Sequence, residues 1–82
     1  MKGEMIMITN VKELLNAEIT AAWETTASFY VFPENGHEFD ETMYKVDKYS
    51  GKVEELGYLD FALSAKATSQ KIDPSIFKRA FS

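Results

Sequence analysis

The chain of 82 residues contains no cysteine, one arginine, one histidine and two prolines. The absence of cysteine excludes disulfides, thiolate metal sites and a cysteine nucleophile, and it fits a reducing cytoplasm. With Arg79 as its single arginine and a net charge of −4, the chain is poorly suited to bind nucleic acid. No apolar run approaches a signal-peptide core or the roughly 20 residues of a membrane span. We therefore expect a soluble cytoplasmic protein that binds neither nucleic acid nor membrane.

Sequence signatures of catalysis are also missing. The chain has no G-x-S-x-G, no P-loop and no G-x-G-x-x-G motif. Glu54 and Glu55 are adjacent, and adjacent strand residues point to opposite faces, so their carboxylates should not converge for acid–base chemistry. His37 and Glu41 would have metal-ligand spacing on a helix, but the turn residues 33–36 before them favour a solvated loop. We expect no catalytic residue, no metal site and no cofactor.

The length predicts one small domain over residues 1–82. The composition is 45% hydrophobic and 27% charged, as in ordinary folded proteins. A single core of this size supplies only about 3–5 kcal/mol, so a partner subunit would add useful stability. At the N-terminus, the apolar residues 5–8 predict either a short edge strand or a loose lead-in to the domain.

Residues 43–56 give the clearest local prediction in the chain. Apolar side chains such as Tyr44 and Val46 alternate with charged ones, which is the two-residue period of a half-buried strand. Gly51 can adopt the positive φ of a tight turn, and residues 53–56 then continue as a second strand. The pattern predicts a β-hairpin with one buried face and one exposed face.

Residues 44–53, with the sequence YKVDKYSGKV, resemble the Y-x-V-D-x-x-[ST]-G-K-V hairpin of PepSY-type domains. The resemblance covers ten of the 82 residues. PepSY-type domains are small α+β modules, so the resemblance implies a binding or inhibitory role rather than a catalytic one. It assigns no functional residue to this chain.

The N-terminal third carries apolar residues at helical spacing. Asn10 is suited to cap a helix, with Glu13 three residues later as in a capping box. The apolar positions are Val11, Leu14, Leu15, Ile19, Ala22 and Trp23. We expect one helix over residues 11–23. In the alternative, the helix ends at Asn16 and residues 19–25 form a strand. That strand would carry Ile19, Ala21 and Trp23 on one face.

The rest of the chain predicts an α+β fold. Residues 28–32 are rich in strand formers and lead through a turn into the hairpin, so three antiparallel strands form a meander that the N-terminal helix covers. Toward the C-terminus, helical spacing recurs at Leu56, Leu59, Leu63 and Ala67. Asp73 followed by Pro74 then predicts the start of a last helix.

Charge is divided unevenly along the chain. Residues 34–60 contain eight acidic residues and three lysines, a net charge of −5, whereas residues 61–82 carry +3. Such a division predicts two electrostatic faces, the acidic one suited to a basic protein partner. The acidic residues that we expect to contact the partner are Glu34, Glu38, Asp40, Glu41 and Asp47.

Aromatic residues make up 13% of the chain, and most should be buried. Tyr30, Phe32 and Tyr44 cannot all face one side of a sheet, so we expect Tyr30 and Tyr44 to add exposed aromatic surface to the partner site.

The composition thus favours a non-catalytic acidic binding protein of the inhibitor, immunity or phage anti-defence type. The alternative is a structural homodimer formed through exposed aromatics. The third hypothesis is a small enzyme or metal binder around His37.

Overall fold

The computed structural model describes residues 10–33 and 42–82, which combine helices and strands. The helices are α1 (Val11–Leu15), α2 (Tyr58–Ser64) and α3 (Pro74–Ala80), with a 3-10 turn at Lys66–Thr68. The strands are β1 (Ile19–Glu24), β2 (Ser28–Pro33), β3 (Thr42–Asp47), β4 (Val53–Gly57) and β5 (Gln70–Ile72). The predicted edge strand or lead-in at residues 5–8 lies outside the described residues.

The five strands form one antiparallel sheet in the order β4-β3-β2-β1-β5. Strands β1 to β4 follow one another as a meander, and the chain then returns through α2 to place β5 beside β1, with Ala22 opposite Ile72. The predicted α+β class and the hairpin are confirmed. The predicted three-stranded meander corresponds to β2, β3 and β4. The sheet has two further strands, β1 and β5, which both lie beyond β2.

The predicted helix over residues 11–23 is wrong, and the alternative is confirmed in outline. Helix α1 ends at Leu15, after only five residues, and β1 begins at Ile19. The cap was predicted correctly, since the Asn10 side chain accepts a hydrogen bond from the Glu13 N–H at 3.1 Å. Strand β1 lies between β2 and β5, so sheet pairing on both edges outweighs the helical propensity of its alanines.

A register irregularity in β1 explains why its apolar residues imitate helical spacing. The pairing with β2 shifts between Ile19 and Ala21. Because of this extra residue, Ile19 packs on the same side of the sheet as Ala22, while Ala21 and Trp23 pack on the other side. A regular strand would have placed Ile19 with Ala21 and Trp23, as the alternative prediction assumed. Ile19 and Ala22, which share a face of the sheet, are therefore three residues apart, and this is also the spacing of residues one helical turn apart.

Helices cover both faces of the sheet, and the buried apolar residues within 10–33 and 42–82 form two hydrophobic cores. The first core consists of Leu14, Ala22, Phe29, Val31, Tyr44, Val46 and Phe77. The second core consists of Trp23, Tyr30, Met43, Phe61 and Ala65. Helices α1 and α3 close the first core through Leu14 and Phe77, and α2 closes the second through Phe61.

The C-terminal helices pack on the sheet through aromatic side chains. Phe77 of α3 meets Phe29 edge-on, with ring centroids 5.4 Å apart, and α3 begins as predicted with Asp73 as its cap and Pro74 in the first turn. In α2, Phe61 packs 4.9 Å from the rings of both Trp23 and Tyr30. The predicted leucine stripe is therefore not the buried side of α2.

Candidate functional site

The β3–β4 hairpin lies at one side of the sheet, and its two strands are joined by a five-residue loop, residues 48–52. Gly51 closes this loop with φ of +75°, as expected of a glycine at a tight turn. One carboxylate oxygen of Asp47 accepts hydrogen bonds from the backbone N–H groups of Tyr49 (2.9 Å) and Ser50 (2.7 Å). Asp47 was predicted as a partner-binding residue, and in the structure its carboxylate organises the turn.

These hydrogen bonds also determine the ionisation of Asp47. The N–H of Ser50, the Ser50 hydroxyl and the N–H of Tyr49 hold the pKa of the Asp47 carboxyl below its usual 3.8, with a further contribution from the charge of Lys45. The pKa of Asp73 is lowered in the same way, mainly by the backbone N–H and hydroxyl of Ser75 at the start of α3. Both carboxylates are therefore ionised groups that support local structure.

We predict that these two carboxylates make stability depend on pH. Because their folded pKa values are depressed, their contribution is present above the unfolded value near 3.8 and is lost as pH falls through the folded values. An Asp47→Asn, Asp73→Asn variant keeps an acceptor oxygen at each site but cannot titrate. Its urea midpoint should fall less than that of the wild type between about pH 5 and about pH 2. Equal losses in the two proteins would show that other groups control acid unfolding.

The outer face of the hairpin forms a shallow depression of about 170 Å³. Its lining residues are Lys45, Asp47, Ser50, Lys52 and Glu54. The ammonium of Lys52 lies 3.2 Å from a carboxylate oxygen of Glu54, and both side chains are largely exposed. Two lysines and two carboxylates balance each other here, so the depression does not concentrate charge of one sign.

A second ion pair lies at the edge of the first core. The Nζ of Lys48 lies 2.7 Å from a carboxylate oxygen of Glu24, with both side chains partly buried. The same ammonium lies 5.1 Å from the ring centroid of Phe29. Lys48 is thus held against the fold, with 24% of its side chain exposed.

Tyr30 and Tyr44 do not form the exposed aromatic surface that we predicted. Tyr30 is 8% exposed in the second core and Tyr44 is 7% exposed in the first. The two rings do face opposite sides of the sheet, as the strand period requires, but α2 covers the side that was expected to stay open. The expectation of their exposure is therefore wrong.

The other predicted partner-binding residues fall outside the described part of the chain. They are Glu34, Glu38, Asp40 and Glu41, and His37 lies among them. The chain enters this segment from Pro33 at the end of β2 and returns at Thr42 at the start of β3. Thr42 pairs with Gly57, so these two ends and the end of β4 share one end of the sheet, opposite to the hairpin loop.

Glu54 and Glu55 are both exposed on β4, which is an edge strand. Glu54 is opposite Lys45 and Glu55 is opposite Tyr44, so the two carboxylates project from opposite faces, as predicted. This arrangement does not bring them together for acid–base chemistry. Within residues 10–33 and 42–82, no three histidine, aspartate or glutamate side chains are grouped so that they could hold a metal ion.

The sequence reasoning missed an apolar surface on α2. Leu59 and Leu63 are 69% and 79% exposed. Both belong to the predicted leucine stripe, so the correct periodicity was assigned to the wrong side of the helix. On its other side, α2 is bordered by Lys66, whose ammonium donates to the Tyr58 hydroxyl at 2.8 Å. No helix in the described ranges is long and apolar enough to cross a membrane.

Comparison with known proteins identifies no relative of this chain. No protein-family model, curated protein or solved structure matches the chain. The similarity of residues 44–53 to the PepSY hairpin consequently stays a prediction.

Proposed function

We propose that this chain is a small non-catalytic binding protein of the cytoplasm that presents an acidic surface to a basic partner protein. The surface includes Glu34, Glu38, Asp40 and Glu41, together with the exposed Glu55 of β4. Electrostatic attraction of this kind accelerates the encounter with a basic surface, as in inhibitors and immunity proteins.

The observation that supports the proposal most is how the three lysines of residues 34–60 are used. Lys48 pairs with Glu24, Lys52 pairs with Glu54, and Lys45 lies close enough to Asp47 to lower its pKa. Each of these lysines is therefore matched to a carboxylate of the described structure. The proposal takes the charge of the four acidic residues between Pro33 and Thr42 as the part of the acidic surface that meets the partner.

Charge reversal tests the proposal. We expect Glu38→Lys with Glu41→Lys to abolish capture of the partner from a lysate of the source cell, because the attraction at the binding surface is reversed. A matched control, Glu13→Lys with Glu18→Lys, makes the same change in net charge at exposed positions near α1 and should retain capture. Urea unfolding should show that both variants fold.

Salt provides a second readout. Capture by the wild type should decrease when salt rises from about 50 mM to about 500 mM, since the Debye length shortens from roughly 14 Å to roughly 4 Å. Capture that is equal at both salt concentrations, or equal for the reversed and control variants, would contradict the proposal.

A second candidate function is a homodimeric structural subunit. Exposed aromatics were its predicted basis, and Tyr30 and Tyr44 do not supply them because both rings are buried. The exposed Leu59 and Leu63 favour it instead, since adjacent apolar side chains on a helix surface often mark an interface.

A further inference from the structure

Strand β4 leaves one edge of the sheet open. It pairs with β3 on one side, and no strand in the described part of the chain pairs with it on the other. The backbone of Lys52 faces β3, since its carbonyl accepts a hydrogen bond from the Asp47 N–H at 3.0 Å. Alternate residues then face the other way, so the N–H groups of Val53 and Glu55 point to the open edge. Such a row of backbone groups is suited to pair with another strand.

The open edge is apolar on both faces of the sheet. Val53 packs against the first core and Leu56 against the second, and both side chains are only partly buried. A strand that extended both cores here would need apolar side chains on both of its faces. Residues 5–8, which we call the N-terminal segment, have the sequence Met-Ile-Met-Ile and are separated from α1 by two residues.

Helix α1 begins at one end of the open edge. A Cβ atom placed on Gly51 would lie 4.0 Å from Cγ1 of Val11, so α1 starts beside the hairpin loop that leads into β4. The chain enters α1 in an extended conformation, because Asn10 has φ of −145° and ψ of 163°. Two extended residues span about 7 Å, which exceeds the spacing of neighbouring strands. The N-terminal segment is therefore within reach of β4.

We propose that the N-terminal segment covers the open edge as a further strand, antiparallel to β4. The segment runs toward the hairpin loop and β4 runs away from it, which gives the antiparallel direction. Asn10 is the last extended residue before α1 and lies level with Gly51 in this arrangement. Counting back from there places Met7 opposite Glu54. Of the two sequence predictions for these residues, an edge strand or a loose lead-in, the geometry points to the strand and identifies its neighbour.

The path of α1 agrees with this placement. A segment antiparallel to β4 is parallel to β1, and α1 joins the two across the face of the first core. Strands β4 and β5 are also parallel, and α2 joins them across the other face. Nearly all such crossovers have the same hand. Because strand direction and sheet face are both reversed, a strand beside β4 gives the α1 crossover the hand of the α2 crossover. A strand beside β5 would give the opposite hand.

A pair of introduced cysteines tests the pairing, because the chain has no cysteine of its own. The backbone of Glu54 faces β3, so Met7 and Glu54 form a non-hydrogen-bonded pair with Cα atoms about 4.5 Å apart, within the range of a disulfide. We expect Met7→Cys with Glu54→Cys to form an intramolecular disulfide in most molecules on mild oxidation of the dilute full chain, measured by non-reducing mass spectrometry. The matched control is Met7→Cys with Lys71→Cys. Lys71 is exposed on β5 at the opposite edge of the sheet, so this pair should not bridge within one chain.

Amide exchange measured by NMR shows what covers the edge. In the full chain, the N–H groups of Val53 and Glu55 should exchange at least about tenfold more slowly than in a chain shortened to residues 9–82. The N–H of Leu56 faces β3 and should be protected in both chains, which also verifies that the shortened chain folds. The cysteine pair does not depend on the shortened chain.

Four results would overturn the proposal. The first is equal exchange at Val53 and Glu55 in the two chains, and the second is equal bridging by the two cysteine pairs. The third is protection of Glu55 that grows with protein concentration, because a second copy would then cover the edge. The fourth is protection that appears only when a captured partner is added, because the edge would then belong to the partner.

Discussion

Replacing Phe61 with alanine should leave most of the protein unfolded. Phe61 is fully buried and contacts the rings of Trp23, Tyr30 and Tyr58, with centroid distances of 4.9, 4.9 and 6.0 Å. It is the fully buried side chain through which α2 closes the second core. Truncation of a buried phenylalanine costs about 3–5 kcal/mol, which is comparable with the whole stability of a domain this small.

Leu63→Ala is the matched control for this prediction. It shortens an apolar side chain two residues away on the same helix, but Leu63 is 79% exposed, so its unfolding free energy should change by no more than about 0.5 kcal/mol. Urea unfolding followed by tryptophan fluorescence measures both, since Trp23 lies against Phe61. If Leu63→Ala were the more damaging change, the leucine side of α2 would be the buried one, as the sequence pattern alone had suggested.

The features that could be predicted from the sequence are those specified by a few neighbouring residues. The β3–β4 hairpin follows from its two-residue period and from Gly51, and the helix caps follow from Asn10 and Asp73. Each depends on hydrogen bonds and backbone preferences within about four residues. These elements need no knowledge of the rest of the fold.

The features that could not be predicted depend on distant parts of the chain. Strand β1 becomes central only because β5, about 50 residues later, pairs with it, and its register shift hides the two-residue period. Strand β5 itself has only three residues, too few to show a pattern. Because both faces of β1 pack against a core, its apolar residues Ala21, Ala22 and Trp23 are consecutive, and such a run fits a helix as well as a strand.

The candidate site was predictable to a smaller extent. The role of Asp47 in the turn could have been anticipated, because an aspartate before a tight loop commonly accepts backbone hydrogen bonds. The burial of Tyr30 could not have been anticipated, because it requires knowing that α2 crosses the second face of the sheet with its aromatic side chains inward. The local sequence of α2 does not decide its orientation, since Leu59 and Leu63 form one apolar side and Tyr58 and Phe61 form another.

Leu14→Ala should destabilise the protein nearly as much as Phe61→Ala. Leu14 is fully buried in the first core, and it is the buried residue of the five-residue helix α1. A helix of this length is not stable alone, so it persists because Leu14 fixes it to the sheet. We expect a loss of about 2–5 kcal/mol and detachment of α1, measured by urea unfolding and by amide exchange in residues 11–15.

Leu15→Ala distinguishes the short helix from the long one that the sequence pattern predicted. In a helix over residues 11–23, Leu14 and Leu15 would both belong to the buried stripe and would be similarly sensitive. In the structure Leu15 is only partly buried beside the first core, so its truncation should cost clearly less than that of Leu14. Equal losses, or exchange protection running unbroken from residue 11 to residue 23 in a helical pattern, would contradict the placement of β1. A large difference between two adjacent leucines of identical chemistry would instead show that the orientation of α1 on the sheet determines their contribution.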